Sequence, residues 1–519
     1  MSDSVKQPAW LRIGRWILLG LFGLILQVLV VWLILDATSK SSLHRYERQW
    51  EIKGEHFAFA DFVPKPIPND RNFALTPIMV TSYGWVLDTN GHKIIPKKAN
   101  YVNRLEMKIY GDARQVAAPT NAGNWVLGSK IDLKALQLYY RALAATTDEF
   151  SIPSQPQSPA ADVLLALSRY DTAIEELRQA AALPDSRFPL NYDNDPPADI
   201  LLPHLAGLKR CSEMLQLRAV AELQNGQSDK ALADVKLILR LMDAVRNEPF
   251  LISPLVRILM LKLALQPVWE GIQDHRWSDT QLAELDQALA KLDFLVDYEF
   301  SVRSEQALAM ADFDYMRRTR NLVLFFGSDG KVIPVVTEVE LRFFPSSAFY
   351  ENELALARAE QQWLLPIIDV EQHSVSLEAA RLAEINIKQE RGHWSLNNVL
   401  ACLRLPGMAK CCQKFAYAQS VADMARVACA LERFRLAHGE YPEMLDAVSP
   451  RFMESVPPDV ISGQPPKYHR TGDGQFVLYS VGWNGTDDGG AVFMEDHSKT
   501  YIDYDKGDWV WTGQVMNSK

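Results

Sequence analysis

The chain has 519 residues and a mass of 58.7 kDa; 48% of its residues are hydrophobic and 23% are charged. These proportions are ordinary for globular protein and argue against wholesale disorder and a polytopic membrane bundle, while the length is a soft prior for about three domains with room for real cores. A formal charge of −10 and an isoelectric point near 5.6 provide no global field that favours nucleic acid, and five cysteines in 519 residues do not make a disulfide scaffold.

The first element is an apolar run, ILLGLFGLILQVLVVWLIL, which begins at Ile17 and ends at Leu35. At ~1.5 Å per residue it is ~28 Å long, close to the ~30 Å hydrocarbon core of a bilayer. Trp16 and Trp32 lie near its two ends, where indoles favour the interface. Ala37-Thr38-Ser39 has the small-x-small form of a cleavage site. A secretory h-region is only ~7–15 residues, however, so the length predicts an uncleaved anchor that contacts the lipid bilayer through Ile17 to Leu35. Lys6, Arg12 and Arg15 precede the span, and Lys40, Arg45 and Arg48 follow it, so the count of basic residues is tied. A short basic N-tail before a first hydrophobic segment favours a cytoplasmic tail at 1–16, with the bulk of the chain outside the cytosol. The next most apolar stretch, residues 251–269, contains Arg257 and Lys262 and reads as a soluble core helix.

Residues 36–150 read as a stalk, a strap and a small mixed α/β region. Pro64, Pro66 and Pro68 alternate within DFVPKPIPNDRNFALTP, fixing φ and removing donors, which predicts an extended strap lying on its own body. Residues 78–130 alternate weakly, with turn signals at Thr89-Asn90-Gly91 and Asn121-Ala122-Gly123, and residues 133–145 read as helix. SIPSQPQSPA, residues 151–160, has a linker composition, and Asp162 is the expected N-cap of the next helix.

Residues 161–320 are the expected helical-hairpin body. Residues 168–184 and 225–241 each resemble the second helix of a tetratricopeptide-type hairpin, with Ala173 and Ala231 at the small position and Gly226 in a turn. The two alanines are 58 residues apart rather than the ~34 of a regular array, which predicts an irregular stack. Ser278 is the expected N-cap of a helix over 279–295, and another helix is expected over 298–320, where Arg317, Arg318 and Arg320 read as a solvated end. Residues 321–410 are expected to hold a short β excursion around the turn at Gly327-Ser328-Asp329-Gly330, then helix over 351–391.

In the last unit, 411–519, residues 415–438 read as one long helix closed by Gly439 and Pro442. A short helix (443–448), strands over 467–471 and 475–481, and the loop GWNGTDDGG follow. This order, together with the pattern from Arg435 to Pro442 and the string YSVGWNGTDDGG, resembles the globular head of bacterial type II secretion pseudopilins and type IV pilin-like proteins. The likeness implies a small α+β domain that docks neighbouring subunits. It also implies a calcium-binding loop, with Asn484, Asp487 and Asp488 at the matching positions. Residues 484–508 hold seven acids against two lysines. Calcium takes 6–8 oxygen ligands, which Asp503, Asp505 and Asp508 would help to supply if the tail folds back. Pilin-like subunits carry their apolar half-helix immediately before this helix, whereas here the apolar span ends far upstream at Leu35, so a docking or capping head is expected rather than pilus packing. The whole chain also resembles an uncharacterised family of bacterial single-pass membrane-anchored proteins, through the proline strap, LLPHLAGLKRCSEMLQLRAVAEL, ISPLVRI, LALQPVWEGI, WSDTQLAEL and the terminal YSVGWNGTDDGG; that likeness implies no activity.

The sequence lacks the G-x-S-x-G, H-E-x-x-H, C-x-x-C and G-x-G-x-x-G patterns, and the glycines at 327 and 330 are too close together for a phosphate loop. Cys211, Cys402, Cys411, Cys412 and Cys429 read as buried small apolar residues, with a Cys402–Cys411 bridge as the oxidised alternative. His393 reads as a surface-loop residue, and His497 lies near the acidic loop. The expected fold is therefore mainly α: a transmembrane helix, an irregular tetratricopeptide-like body and a small pilin-like end. The expected function is that of an interaction or assembly component of a bacterial envelope system, located in the inner membrane, with protein partners and no evident catalytic activity. The alternative is a membrane-tethered hydrolase that uses paired carboxylates on an envelope polymer.

Overall fold

In the computed structural model the apolar run is part of one unbroken helix, α1 (Ala9–Glu51), 43 residues and ~65 Å long. The structure describes residues 9–84, 86–87, 93–94, 102–111, 116–119, 123–320, 344–495 and 502–511. The expected turn at 89–91, most of the β excursion with its 327–330 turn, and His497 lie outside those residues. From Ile17 to Leu35 every large apolar side chain of α1 is exposed. Leaving such a surface in water costs on the order of tens of kcal/mol. The helix is long and apolar enough to cross a membrane, in keeping with a single-pass anchor.

Beyond the apolar run α1 is not a free stalk. Ser39 and Leu43 are buried, and Leu43, Tyr46 and Trp50 pack with Phe57, Met310, Tyr350, Leu354 and Ala357. The Tyr46 hydroxyl donates to the Ala357 carbonyl at 3.4 Å.

After the short helices α2 (Phe59–Phe62) and α3 (Pro77–Val80), the strap lies on the body as expected. The Arg187 guanidinium donates to the Pro64 carbonyl, the Asn72 amide donates to the Arg187 carbonyl, and Phe73 is fully buried. β1 (Val86–Leu87) and β2 (Lys93–Ile94) form a short antiparallel pair. α4 (Leu133–Ala144) is followed by α5 (Pro159–Leu167). Its cap is Ser158, four residues before the expected Asp162. Ser158 accepts from the Ala161 N–H, and Pro159 takes the first helical position, where a missing donor costs nothing. Asp162 is instead buried inside α5 and accepts from Gln137 and Arg141 of α4, at 2.7 and 2.6 Å. These bonds hold its carboxyl below the usual range despite the burial.

The helical body follows as α6 (Asp171–Ala181), α7 (Pro203–Gln224), α8 (Ser228–Asp243), α9 (Ile252–Gln273), α10 (Asp279–Leu289) and α11 (Phe294–Thr319). α7, α8 and α9 pack on one another as an irregular hairpin stack. Ser278 caps α10 with a reciprocal bond to Gln281. α9 is the stretch interrupted by Arg257 and Lys262. Arg257 is 1% exposed, pairs with Asp297 of α11 and donates to the Met242 carbonyl at 3.1 Å, which accounts for α9 as a core helix.

Gly271 marks where the body closes on α9. A β-carbon there would lie 2.0 Å from the indole nitrogen of the buried Trp277, which donates to the Val268 carbonyl at 3.2 Å. Gly271→Ala should therefore displace Trp277 and cost about 1–3 kcal/mol, more than the gain in helix propensity. Chemical denaturation of the full-length protein in detergent checks this; an unchanged midpoint would show that the indole has room to move.

The expected return to helix over 351–391 is made by two helices, α12 (Ser346–Ala359) and α13 (Leu377–Gly392). Between them lie a π turn (Glu360–Leu364) and an antiparallel pair, β3 (Ile368–Asp369) and β4 (Ser374–Val375). Pro366 lacks the N–H needed to continue α12. α14 (Val399–His438) begins 16 residues before the expected start at 415 and runs through Pro406. The expected unit boundary at 411 thus falls inside one helix. β5 (Lys467–Arg470), β6 (Phe476–Ser480) and β9 (Trp509–Trp511) form an antiparallel sheet with β6 in the centre, and β7 (Val492–Met494) pairs with β8 (Ile502–Gly507). The expected short helix at 443–448 is a single 3-10 turn, Leu445–Val448. A contiguous core runs from Phe73 through α6–α14 to Trp511, so the terminal sheet shares its core with the helical body. The fold is mainly α, with a small strand region at the C-terminal end. All five cysteines are free and buried, so the Cys402–Cys411 bridge does not form here.

Candidate functional site

The acidic loop does not assemble the calcium cage implied by the pseudopilin likeness. The Asn484 side-chain oxygen accepts from the Thr486 N–H, and its nitrogen donates to Asp488 at 2.7 Å, so the amide turns a donor toward the neighbouring carboxylate. Asp487 accepts from the Tyr479 hydroxyl and the Gly489 N–H and lies 3.4 Å from the Lys467 ammonium. These contacts hold its carboxyl below the usual range. The tail does fold back, yet its acids are committed elsewhere. Asp508 accepts from the Asp488 and Gly490 N–H groups, Asp503 pairs with Lys506, and Asp505 accepts from Gln413. Gly482 makes this return possible: its φ is +64°, and a β-carbon there would lie 2.4 Å from the Gly507 carbonyl oxygen. Among the described residues no three His, Cys, Asp or Glu side chains converge as a metal cluster. The donor set as placed does not fit calcium, because its oxygens already accept protein N–H and O–H groups and too few converge.

The arrangement with the most chemistry lies beside that loop. A groove of about 480 Å³ is walled by α9, α13, α14 and the strand region. Its floor is Lys262, which leaves the apolar face of α9 between two tyrosines. The Lys262 ammonium donates to the Tyr504 hydroxyl and sits 5.0 Å from the ring centres of both Tyr417 and Tyr504. Burial pushes this ammonium down to about 8, and cation–π attraction to the two rings favours its charged form. Burial also raises Tyr504 to about 12, so its hydroxyl stays protonated. Tyr417 is 1% exposed beside the groove, and its buried hydroxyl has no hydrogen-bond partner among the described residues. Lys410 and Lys414 are exposed on the α14 wall, where no described carboxylate pairs with them; Trp483 closes the other side. The groove therefore brings three amines together with four carboxylates, Glu384, Glu495, Asp503 and Asp505, beside apolar and aromatic side chains.

Sequence reasoning saw Lys262 only as an interruption of an apolar run and missed the rest. The available signal was an isolated lysine on the buried face of a helix, which needs a partner from elsewhere. Glu384, Glu495, Asp503 and Asp505 are the carboxylates that line the groove. Burial raises Glu222, Asp234, Glu270, Asp312, Glu353 and Glu360, but none of them lines this groove. Arg317 and Arg318 pair with Asp314, and Arg320 donates to Ser346, as expected of a helix end. His393 is exposed at the end of α13.

No family model, no curated protein and no solved structure matches the chain.

Proposed function

We propose that the chain is a single-pass protein of the bacterial inner membrane whose body stands outside the cytosol and serves as an interaction or assembly component of a secretion- or pilus-like envelope system. The observation that supports this reading is the continuity of α1, which leaves the apolar span and docks directly on α12, holding a rigid helical body and its groove at a set height above the bilayer. The groove is then the contact site for a segment of an envelope partner that carries charged groups beside apolar side chains. The pilin-like order of α14, β5 and β6 favours the same role, because such heads act by docking.

The test places a photo-crosslinking residue at Lys414 in the full-length protein in its native membrane, with a topology reporter fused at the C-terminus. The expected result is a reporter active only outside the cytosol and a crosslink to the extracytoplasmic part of another envelope-assembly protein, lost when Lys410 and Lys262 are both changed to Glu. A reporter active in the cytosol, or hydrolysis of an envelope polymer by the purified protein, would overturn the reading.

A further inference from the structure

Several helix ends collect on the side of the body nearest the span. The last turn of α11 meets the first turn of α12, where the Arg317 guanidinium lies 4.9 Å from the Tyr350 ring centre and Arg320 donates to Ser346. The start of α14 is tied to the same place, since the Asn352 side chain accepts from the Leu400 N–H and donates to the Leu396 carbonyl, both at 2.7 Å. Farther along, Gln419 of α14 accepts from the Phe294 N–H at the opposite end of α11. α14 therefore leads away from this end and α13 leads into it. α1 fixes which end it is. Leu43 packs on Tyr350, and Tyr46 reaches Ala357, so α1 and α12 rise together from the span. The first buried residue of α1 after the apolar run is Ser39. It lies four residues, ~6 Å, beyond Leu35, and the headgroup layer on each side of a bilayer is about 5–8 Å thick.

The turn between α13 and α14 is tied to this end through Asn352. Trp394 and Leu396 are each 50% exposed there, although both are large apolar side chains at the tip of a short connection. Lys388 and Arg391, in the last two turns of α13, are exposed, and no described carboxylate pairs with either. An indole and a leucine at the tip with cations just behind them match the layered order of a membrane interface: apolar groups at the acyl boundary, basic groups at the phosphates.

We propose that the α13–α14 turn rests in the lipid headgroup layer of the membrane that α1 spans, with Trp394 and Leu396 dipping toward the acyl chains and Lys388 and Arg391 on the lipid phosphates. The body then has two attachments to one bilayer, the span and this turn. The proposal depends on α1 being a membrane span but not on any partner at the groove.

Because the native cysteines are buried, an introduced surface cysteine can be labelled selectively. Full-length Leu396→Cys carrying a bimane label is placed in nanodiscs of phosphatidylglycerol and phosphatidylcholine, with or without lipids brominated high on the acyl chain. The control label is at Leu382→Cys, 52% exposed on α13 and ten residues, ~15 Å, before the helix end. Quenching by brominated lipid should be several-fold greater at 396 than at 382, and Lys388→Glu with Arg391→Glu should reduce it in phosphatidylglycerol but not in phosphatidylcholine. Equal quenching at 396 and 382, or a label at 396 open to aqueous iodide, would overturn the proposal. A third label at Leu29→Cys reports the span separately: if it is not quenched, the reading of α1 fails, whereas quenching at 29 without quenching at 396 sinks the turn alone.

Discussion

Replacing Asp297 by alanine is expected to cost about 3–5 kcal/mol of stability, the range for removing one partner of a buried ion pair. Asp297 is the ionic partner of Arg257, which is 1% exposed in the middle of α9; it also accepts from Arg246 at 3.2 Å. Without the carboxylate, the Arg257 guanidinium keeps the Met242 carbonyl and the face of the Phe294 ring, 5.5 Å away, and its charge is left without a counter-ion in the core. Replacing both residues, Arg257→Met with Asp297→Leu, should restore most of the loss, because the desolvation penalty disappears with the charges. Denaturant midpoints of the three variants, measured on detergent-solubilised full-length protein, check this. If the double variant were no more stable than Asp297→Ala, the pair would be acting through shape rather than charge.

The largest effect is expected in the span. Leu24→Lys with Val28→Lys puts two ammonium groups near the middle of the apolar run of α1, at about 2.5–3.5 kcal/mol each on insertion scales. The combined penalty of about 5–7 kcal/mol should move the protein from the alkali-resistant membrane pellet to the extractable fraction. A doubly substituted protein still embedded in the membrane would mean that another segment holds it there.

How much of this was legible depended on the range of the interaction that decides each feature. The span was legible because it rests on nineteen consecutive residues and one length scale. The start of α10 was legible because Ser278 and Gln281 are three apart and cap each other, whereas its end was not: the expected helix over 279–295 stops at Leu289, and Asp293 caps a new helix. The start of α5 was misplaced because Asp162 has the right chemistry for a cap, yet a more distant partner, Arg141, claims its carboxylate. α14 starts 16 residues before the expected 415 and passes through Pro406; the turns on both sides of that proline are held, by Asn352 at Leu400 and by the buried Cys411 and Cys412. The groove was not legible at all. Lys262, Tyr417 and Tyr504 come from three separate elements, and no local periodicity signals their meeting. The acidic loop has a related limit: a motif shows which oxygens are present, not which N–H groups will reach them.

The absence of a break in α1 has a mechanical consequence. A helix that passes from lipid into the body without a hinge acts as a lever, so any inclination it takes in the bilayer is imposed on everything attached to Tyr46 and Leu43. Bilayers of different thickness change that inclination. The direction in which the Lys262 groove faces is then set partly by the lipid around the anchor, and a membrane that thins or thickens locally would re-aim it without altering a single contact inside the body.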